Sequence, residues 1–305
     1  MVPSPFFALI HCAAMTHTTL IQLVETTTQS LQAAIDAGEL SLGHGTFEAW
    51  DEAAWMVLWS LKLPLDTELD ERALSADDVL KAQNLLAQRL QTRKPLAYLT
   101  QEAWLQGLPF YVDERVIVPR SLIAEPLVDG RLDDWLSEDK GRVLDLCTGN
   151  GSLAILTAVM CLDADVDAAD ISHDALEVAA INVNKHKVQD RVLLLHSDGL
   201  ENVRGPYDLI LCNPPYVNSD SMAALPKEYQ QEPTLSLAGG TDGMDFIRPM
   251  LAAAASQLTD GGALVLEIGH ERAFFEAAFP HLDPLWLSTS AGDDQVLLLT
   301  REQLL

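Results

Sequence analysis

Apolar residues recur at helical spacing in three stretches of the N-terminal part of the chain. Residues 18–36 form the first stretch, the second begins near Thr46, and the third runs from Ala76 to Thr92. A spacing of three and four residues places apolar side chains on one face of a helix. Prolines and polar residues separate the three stretches. We therefore predict a small helical domain over residues 18–95.

The pattern changes over residues 96–120, where aromatic and β-branched residues surround Gly107-Leu108-Pro109. Aromatic and β-branched residues favour strands, whereas glycine and proline favour turns. We predict that this segment is a β-hairpin linker to a second domain.

From Gly141 onward, short apolar runs alternate with stretches of helical length. The predicted strands are 142–147, 165–169, 192–196, 207–212, 263–268, 286–289 and 295–300, and the predicted helices are 153–161, 174–186, 243–258 and 271–279. This alternation indicates an α/β fold in which helices cover both faces of a parallel sheet, with a ligand at the carboxyl ends of its strands. No helix separates the last two strands, so we predict seven strands with a final antiparallel hairpin over residues 121–305.

Charge narrows the classes of partner. The chain carries 45 acidic residues against 19 basic ones, a formal net charge of −26. Proteins bind the phosphate backbone of nucleic acids through Lys and Arg, so a broad nucleic-acid footprint is not expected. Solubility alone explains many acidic compositions, but long-range attraction would also favour a basic partner.

The four cysteines show neither a CxxC spacing nor a metal-ligand pattern, so we predict no metal site. Cys147, Cys161 and Cys212 lie in or beside apolar runs, as reduced core residues of a cytoplasmic protein do. No stretch reaches the length of a membrane span. Residues 1–17, which include Cys12, are expected to be a disordered tail or an over-extended start.

The first strand of the second domain, 142–147, contains Asp145 near its end and leads into the loop Cys147-Thr148-Gly149-Asn150-Gly151. Glycines allow a tight turn and a close approach of the backbone to a ligand. The helix that follows has unpaired N–H groups at its start. Cys147 and Leu153 break the GxGxxG pattern of dinucleotide sites. By itself the loop is weak evidence for a cofactor.

Three acids at successive strand ends strengthen that evidence. Asp170 could accept hydrogen bonds from both hydroxyls of a ribose, Asp198 could accept a hydrogen bond from the amine of adenine, and Asp145 lies at the end of the first strand. Alternatively, Asp170 could cap the helix beginning near Ser172, and Asp198 could shape a turn. The three acids beside a glycine loop together favour an adenosine ligand.

The strand over 207–212 runs into Asn213-Pro214-Pro215-Tyr216, the most specific signal in the chain. Proline fixes φ and holds the preceding residue extended. The Pro214 carbonyl can therefore project from a stiff turn beside the Asn213 amide oxygen. Two fixed acceptors suit a planar NH2 group, and they stabilise the positive charge that develops when that nitrogen is methylated. Tyr216 is expected to wall the pocket with its ring. A proline-rich turn without chemistry is the alternative.

These motifs resemble the glutamine-amide branch of the class I methyltransferases, which have a Rossmann-like sheet. The resemblance covers nearly all of the chain from about Thr18 and includes Pro95–Thr100, Gly107–Phe110 and Val118–Arg120. It implies S-adenosylmethionine as the cofactor, S-adenosylhomocysteine as the product, and an N-terminal helical domain that helps to bind a protein substrate. The implied cofactor-binding residues are Asp145, Cys147, Thr148, Gly149, Asn150, Gly151, Asp170, Asp198, Gly199 and Asn213. The implied catalytic residues are Asn213, Pro214, Pro215 and Tyr216.

Within this branch, residues 111–121 and 225–233 resemble the enzymes that act on large-subunit ribosomal protein three. Release-factor enzymes typically have Pro-Arg-Pro-Asp-Thr-Glu at the segment where this chain has Pro119-Arg120-Ser121-Leu122-Ile123-Ala124-Glu125, and they often have a large aromatic residue at the position of Gly199. A glutamine of a peptide chain release factor is an alternative methyl acceptor. An adenine or guanine amine of a nucleic acid is another, but the net charge of −26 argues against it. A cofactor-binding regulator with an idle site is a further alternative, which the intact Asn213–Tyr216 argues against.

Overall fold

The computed structural model describes residues 18–136 and 141–305, so the predicted tail over residues 1–17 lies outside the described residues. Two units make up the chain. The first consists of residues up to Leu42 together with Thr46–Leu96, and the second of Gly43–Gly45 together with Ala97–Leu305. Among the described helices, none is both long and apolar enough to cross a membrane.

The first unit contains the three predicted helices, α1 (Leu20–Asp36), α2 (Ala49–Ser60) and α3 (Ala76–Thr92). Thr19 begins α1 with a capping box, because its side chain accepts from the Gln22 N–H while the Gln22 side chain accepts from the Thr19 N–H. Ser75 caps α3 in the same way at the Asp78 N–H. Helix α2 has no side-chain cap and begins three residues later than its pattern predicts, at Ala49.

A buried ion pair joins two of these helices. The Arg89 guanidinium of α3 donates to Glu52 of α2 at 2.8 Å, and Thr46 donates to the other oxygen of Glu52 at 3.1 Å. Both charged side chains are at most 4% exposed. Because a buried charge without its partner is strongly destabilising, any packing of α2 and α3 that separates Arg89 from Glu52 is disfavoured.

Residues 96–120 differ from the predicted hairpin linker. A short helix, α4 (Leu96–Thr100), follows Pro95, and only then come the paired strands β1 (Ala103–Leu105) and β2 (Leu108–Phe110). Gln106 and Gly107 form the turn, both with positive φ, which is the conformation that two-residue hairpin turns require. Residues 111–120 contain no strand. The hairpin is therefore much shorter than the prediction.

The second unit contains a seven-stranded sheet in the order β5-β4-β3-β6-β7-β9-β8. Its elements are α5 (Ala124–Val128), β3 (Arg142–Leu146), α6 (Ser152–Met160), β4 (Asp165–Asp170), α7 (His173–His186), β5 (Val192–His196), β6 (Tyr207–Cys212), α8 (Ser219–Ala224), α9 (Ile247–Ala254), β7 (Leu258–Glu267), α10 (Arg272–Ala278), β8 (Leu285–Thr289) and β9 (Gly292–Thr300). Strands β3 to β7 are parallel, and β9 is antiparallel to both β7 and β8. The predicted fold class is confirmed.

Successive residues of the central strands point to opposite faces of the sheet, and each face is covered. Val143 and Leu209 belong to one buried apolar cluster, whereas Leu144 and Ile210 belong to another. The chain runs from β3 outward through β4 to β5 and then returns to β6 on the other side of β3. This reversal of strand order leaves a crevice at the carboxyl ends of β3 and β6.

One helix is shorter than its prediction. The pattern over 243–258 predicts a continuous helix, but α9 begins at Ile247. Gly240 and Gly243 both have positive φ, so the segment before α9 turns instead of coiling. Those turns bring the segment against the loop that follows β6.

Candidate active site

A cavity of about 230 Å³ opens at the carboxyl ends of β3, β4 and β6. It brings together ten of the residues predicted for the site: Asp145, Cys147, Thr148, Gly149, Asn150, Asp170, Asp198, Gly199, Asn213 and Pro215. Gly151, Pro214 and Tyr216 are not among the lining residues in the described part of the chain. The parallel strands end at one edge of the sheet, which explains why positions far apart in the sequence meet here.

The loop after β3 bends through three residues with positive φ, namely Cys147 (63°), Gly149 (55°) and Gly151 (81°). The Thr148 N–H donates to the Ala169 carbonyl at 3.0 Å and ties the loop to β4. A Cβ at Gly151 would lie 3.3 Å from the Cβ of Ala179 on α7. Gly151 therefore serves the close packing of α6 against α7 and does not line the cavity.

Asp145 is a buried carboxylate in the floor of the cavity. One of its oxygens accepts from the Thr148 hydroxyl at 2.5 Å and from the Ala154 N–H at 2.9 Å. Burial raises the pKa of Asp145 to about 6, although both hydrogen bonds oppose the rise. The Ala154 N–H belongs to the first turn of α6, so Asp145 also satisfies a donor that the helix itself leaves unpaired.

Asp170 lies between the glycine loop and the start of α7. Its carboxylate accepts from the Gly149 N–H and from the Ser172 N–H, each at 2.9 Å. Burial raises its pKa against these bonds. The cap of α7 is Ser172, whose side chain accepts from the Ala175 N–H, so the helix-cap reading of Asp170 is wrong. Asp170 instead braces the loop against the helix.

Asp198 and Asn213 present polar groups without an internal partner. Asp198 is exposed two residues after β5, and no hydrogen bond from the described residues reaches its carboxylate. The Asn213 side chain is half-buried and likewise makes none within the described ranges. Both line the cavity, so both remain available to a ligand.

Three glycines pack closely against the turn Asn213–Tyr216. A Cβ at Gly239 would lie 2.8 Å from the Pro215 carbonyl oxygen, and a Cβ at Gly243 would overlap the Tyr216 carbonyl oxygen. A Cβ at Gly269 would lie 2.5 Å from the Tyr216 ring. The Tyr216 ring therefore packs on Gly269 and does not form the cavity wall that the sequence predicts.

The chain resembles known methyltransferases. The family model described as "Methyltransferase small domain" matches residues 131–227. Ribosomal protein uL3 glutamine methyltransferases are 54% identical in Bordetella pertussis, 50% in Neisseria gonorrhoeae and 48% in Burkholderia pseudomallei. These alignments cover 87–88% of this chain and 90–92% of the relatives. The chain belongs to this family of uL3 glutamine methyltransferases.

A solved structure shows the same fold at much lower identity. It is titled hMettl16 catalytic domain in complex with MAT2A 3'UTR hairpin 6, with a TM-score of 0.50 and 12% identity. The match covers 77% of this chain and 86% of that one. At this identity the likeness shows the fold alone.

In this family member, Glu267 at the end of β7 is a buried acid that sequence reasoning missed. It accepts from the Ser121 hydroxyl at 2.6 Å, from the Leu122 N–H at 2.9 Å and from the Tyr216 hydroxyl at 3.3 Å. Burial raises the pKa of Glu267, and burial followed by the nearby Glu267 charge raises that of Tyr216. Glu267 thus links the segment at Ser121 to the turn Asn213–Tyr216. An acid closing an otherwise apolar strand was the signal for it.

A second missed group is Glu232, which lies in one of the two segments that resemble the uL3 enzymes. It forms a two-pronged ion pair with Arg120, at 2.6 and 2.7 Å, and accepts from the Val118 N–H at 2.9 Å. The Nε2 atom of His44 lies 3.7 Å away. Burial alone would raise the pKa of Glu232, but the charge of Arg120 and the hydrogen bonds to it outweigh burial and hold that pKa at about 2. Arg120 lines the cavity and is its cation among the described lining residues.

We predict that Gly243→Ala lowers the turnover of methyl transfer at least tenfold. The new Cβ displaces the Tyr216 carbonyl and with it the whole turn Asn213–Tyr216, which we call the acceptor turn. S-adenosylhomocysteine affinity should change by less than about threefold, since Gly243 does not line the cavity. Initial rates and calorimetry measure the two effects. Gly261→Ala is the matched control, because a Cβ there meets no atom within 4 Å. Unchanged turnover in Gly243→Ala would contradict the clamping role.

Proposed function

We propose that this protein transfers a methyl group from S-adenosylmethionine to the side-chain amide nitrogen of a glutamine in ribosomal protein uL3. The names of relatives at 48–54% identity support the substrate. The observation that carries the chemistry is the position of Asn213–Tyr216 at the reversal of strand order, beside the glycine loop and three acids. Since the substrate is a ribosomal protein, we place the reaction in the cytoplasm.

The residues of the cavity fit S-adenosylmethionine. The Nδ2 atom of Asn150 is buried and lacks a hydrogen-bond partner among the described residues, although Asn150 lines the cavity. Such a donor needs an acceptor that a ligand can supply. Asp198 offers the complementary acceptor for an adenine amine, Asp170 a charged acceptor for ribose hydroxyls, and Asp145 a negative charge near the methionine ammonium. When bound, the cofactor supplies an electrophilic methyl group.

The acceptor turn would present two fixed hydrogen-bond acceptors to the glutamine amide. Asn213 Oδ1 and the Pro214 carbonyl accept the two N–H bonds of the planar amide and orient its nitrogen. The Pro214 carbonyl belongs to the peptide bond that ends at Pro215, a lining residue. As positive charge grows on the nitrogen, its N–H bonds become stronger donors, so the acceptors stabilise the transition state more than the ground state. No strong base is required before transfer, because the proton becomes acidic only afterwards.

We further propose that residues 18–95 bind the protein substrate and that residues 121–305 carry the methyl transfer. Ser121 and Leu122 belong to the segment that distinguishes this chain from release-factor enzymes, and both donate to buried Glu267. The proline found there in release-factor enzymes has no such hydroxyl. The segment would therefore act on substrate choice through the position of the acceptor turn.

The proposed function is tested with labelled S-adenosylmethionine and three purified acceptors, which are uL3, a peptide chain release factor and an RNA. We expect label in uL3, and mass spectrometry should place the added methyl group on a glutamine side chain. Label only in the release factor or only in the RNA would overturn the substrate assignment.

We expect Asn213→Ala to lower turnover on uL3 by about a hundredfold to a thousandfold, because one preorganised acceptor of the developing charge is lost. Cofactor affinity should change only modestly. Asn184→Ala is the control, since its amide contacts only the carbonyl of Ala180 on its own helix. Near wild-type turnover of Asn213→Ala would exclude Asn213 from the chemistry.

Asp170→Ala should behave in the opposite way and weaken cofactor binding by roughly tenfold to a hundredfold. A charge-assisted hydrogen bond of this kind contributes about 1.5–3 kcal/mol. Loss of the brace at Gly149 adds to the effect. Calorimetry with S-adenosylhomocysteine provides the measurement, and exposed Asp174→Ala controls for charge near the start of α7. If Asp170→Ala retains full affinity, its carboxylate has only a structural role.

Salt should lower kcat/KM on intact uL3 through slower association. The net charge of −26 attracts a basic protein, and the Debye length falls from about 10 Å at 0.1 M to about 3 Å at 1 M salt. A short neutral glutamine peptide should be a poorer substrate whose kcat/KM depends far less on salt. Initial rates across a salt series provide the comparison. Equal salt dependence for both substrates would argue against electrostatic recruitment.

A further inference from the structure

An aromatic ring stands at the adenosine end of the cavity. Phe246 lines the cavity together with Asp170, Ile171, Asp198 and Gly199. It is half-buried, immediately precedes α9, and packs against the apolar cluster that includes Met250. This packing holds the ring in place while part of its surface stays accessible from the cavity.

The ring of Phe246 borders the space above Gly199. A Cβ built on Gly199 would meet Phe246 Cε2 at 3.8 Å and no other neighbouring atom within 4 Å. A larger side chain at position 199 would therefore grow toward this ring. Phe246, which immediately precedes α9, therefore brings an aromatic side chain to the space beside Gly199.

Adenine is a planar π system, and aromatic rings stack on such systems with a gain beyond simple burial. Asp198 lines the same cavity, and its carboxylate has no hydrogen-bond partner among the described residues. It could therefore accept a hydrogen bond from the amine at the edge of the adenine ring. Ile171 is 44% exposed and offers a second apolar surface in the same cavity. We propose that Phe246 stacks on the adenine ring of the bound cofactor. This assignment rests on the proposed function, because that function supplies the adenine.

Calorimetric titration with S-adenosylhomocysteine tests the assignment. Phe246→Ala should weaken binding by about fivefold to 150-fold, the range that corresponds to 1–3 kcal/mol for one base–aromatic stack. Phe246→Leu keeps an apolar side chain without a π face and should lose about twofold to tenfold. Phe274→Ala is the matched control, since Phe274 is a 43% exposed phenylalanine of α10 that does not line the cavity.

Proton NMR of bound S-adenosylhomocysteine supplies a readout that a purely structural role would not change. The ring current of a stacked phenylalanine shifts the adenine H2 and H8 resonances upfield, and Phe246→Leu should abolish that part of the shift. Failure of the unaltered chain to bind S-adenosylhomocysteine would contradict the proposed function. Binding and adenine shifts that are unchanged in Phe246→Ala would overturn the stacking assignment and leave the proposed function intact.

The shared space is tested by adding a ring at position 199. Gly199 has a φ of 49°, so any side chain there strains the backbone, and Gly199→Ala is the control for that strain. Gly199→Phe should weaken S-adenosylhomocysteine binding more than Gly199→Ala does in the unaltered chain, because two rings compete for one space. In the Phe246→Ala background, Gly199→Phe should bind more tightly than Gly199→Ala. The same difference between Gly199→Phe and Gly199→Ala in both backgrounds would contradict the shared space.

Discussion

Close packing of glycines against the turn Asn213–Tyr216 is the constraint on which the site depends. Two prolines limit the backbone of that turn, but they do not determine where it lies relative to the sheet. Its position comes from Gly239 and Gly243, which approach its carbonyl oxygens, and from Gly269, which receives the Tyr216 ring. Any side chain at these glycines would require the turn to move. A reaction that depends on two acceptors of fixed direction is sensitive to such a movement.

Buried carboxylates organise the surroundings of the cavity, and each does so by accepting backbone N–H groups. Asp145 accepts from Ala154, Asp170 from Gly149 and Ser172, Glu267 from Leu122, and Glu232 from Val118. A carboxylate that accepts from distant segments fixes their separation, because an unpaired buried donor is costly. The pKa of these acids shifts in opposite directions because their surroundings differ. The charge of Arg120 lowers the pKa of Glu232, whereas burial raises the pKa of Asp145, Asp170 and Glu267.

The two segments that resemble the uL3 enzymes meet through this network. Arg120 pairs with Glu232, and the neighbouring Ser121 reaches Glu267 at the end of β7. The segment at Arg120 and Ser121 is thereby connected to residues 225–233 through Glu232 and to the turn Asn213–Tyr216 through Glu267. Phe246 likewise borders Gly199, which is far from it in the sequence. In both cases a distant segment supplies the contact.

Local pattern in the sequence predicted most of the helices and strands, but not α4 or the start of α9. The proposed chemistry of the turn Asn213–Tyr216 also came from local sequence, and it stays a prediction. The helix over Ala76–Thr92 and the strands Val192–His196 and Tyr207–Cys212 have the predicted bounds, because periodicity and caps act over neighbouring residues. The gathering of ten predicted site residues in one cavity followed from parallel strands ending at one edge. Only the tertiary structure showed which groups Glu232 and Glu267 contact and that Phe246 lines the cavity. Their partners are far away in the chain, as with Arg120 and Glu232 at a separation of 112 positions, and no local pattern encodes which distant groups will meet.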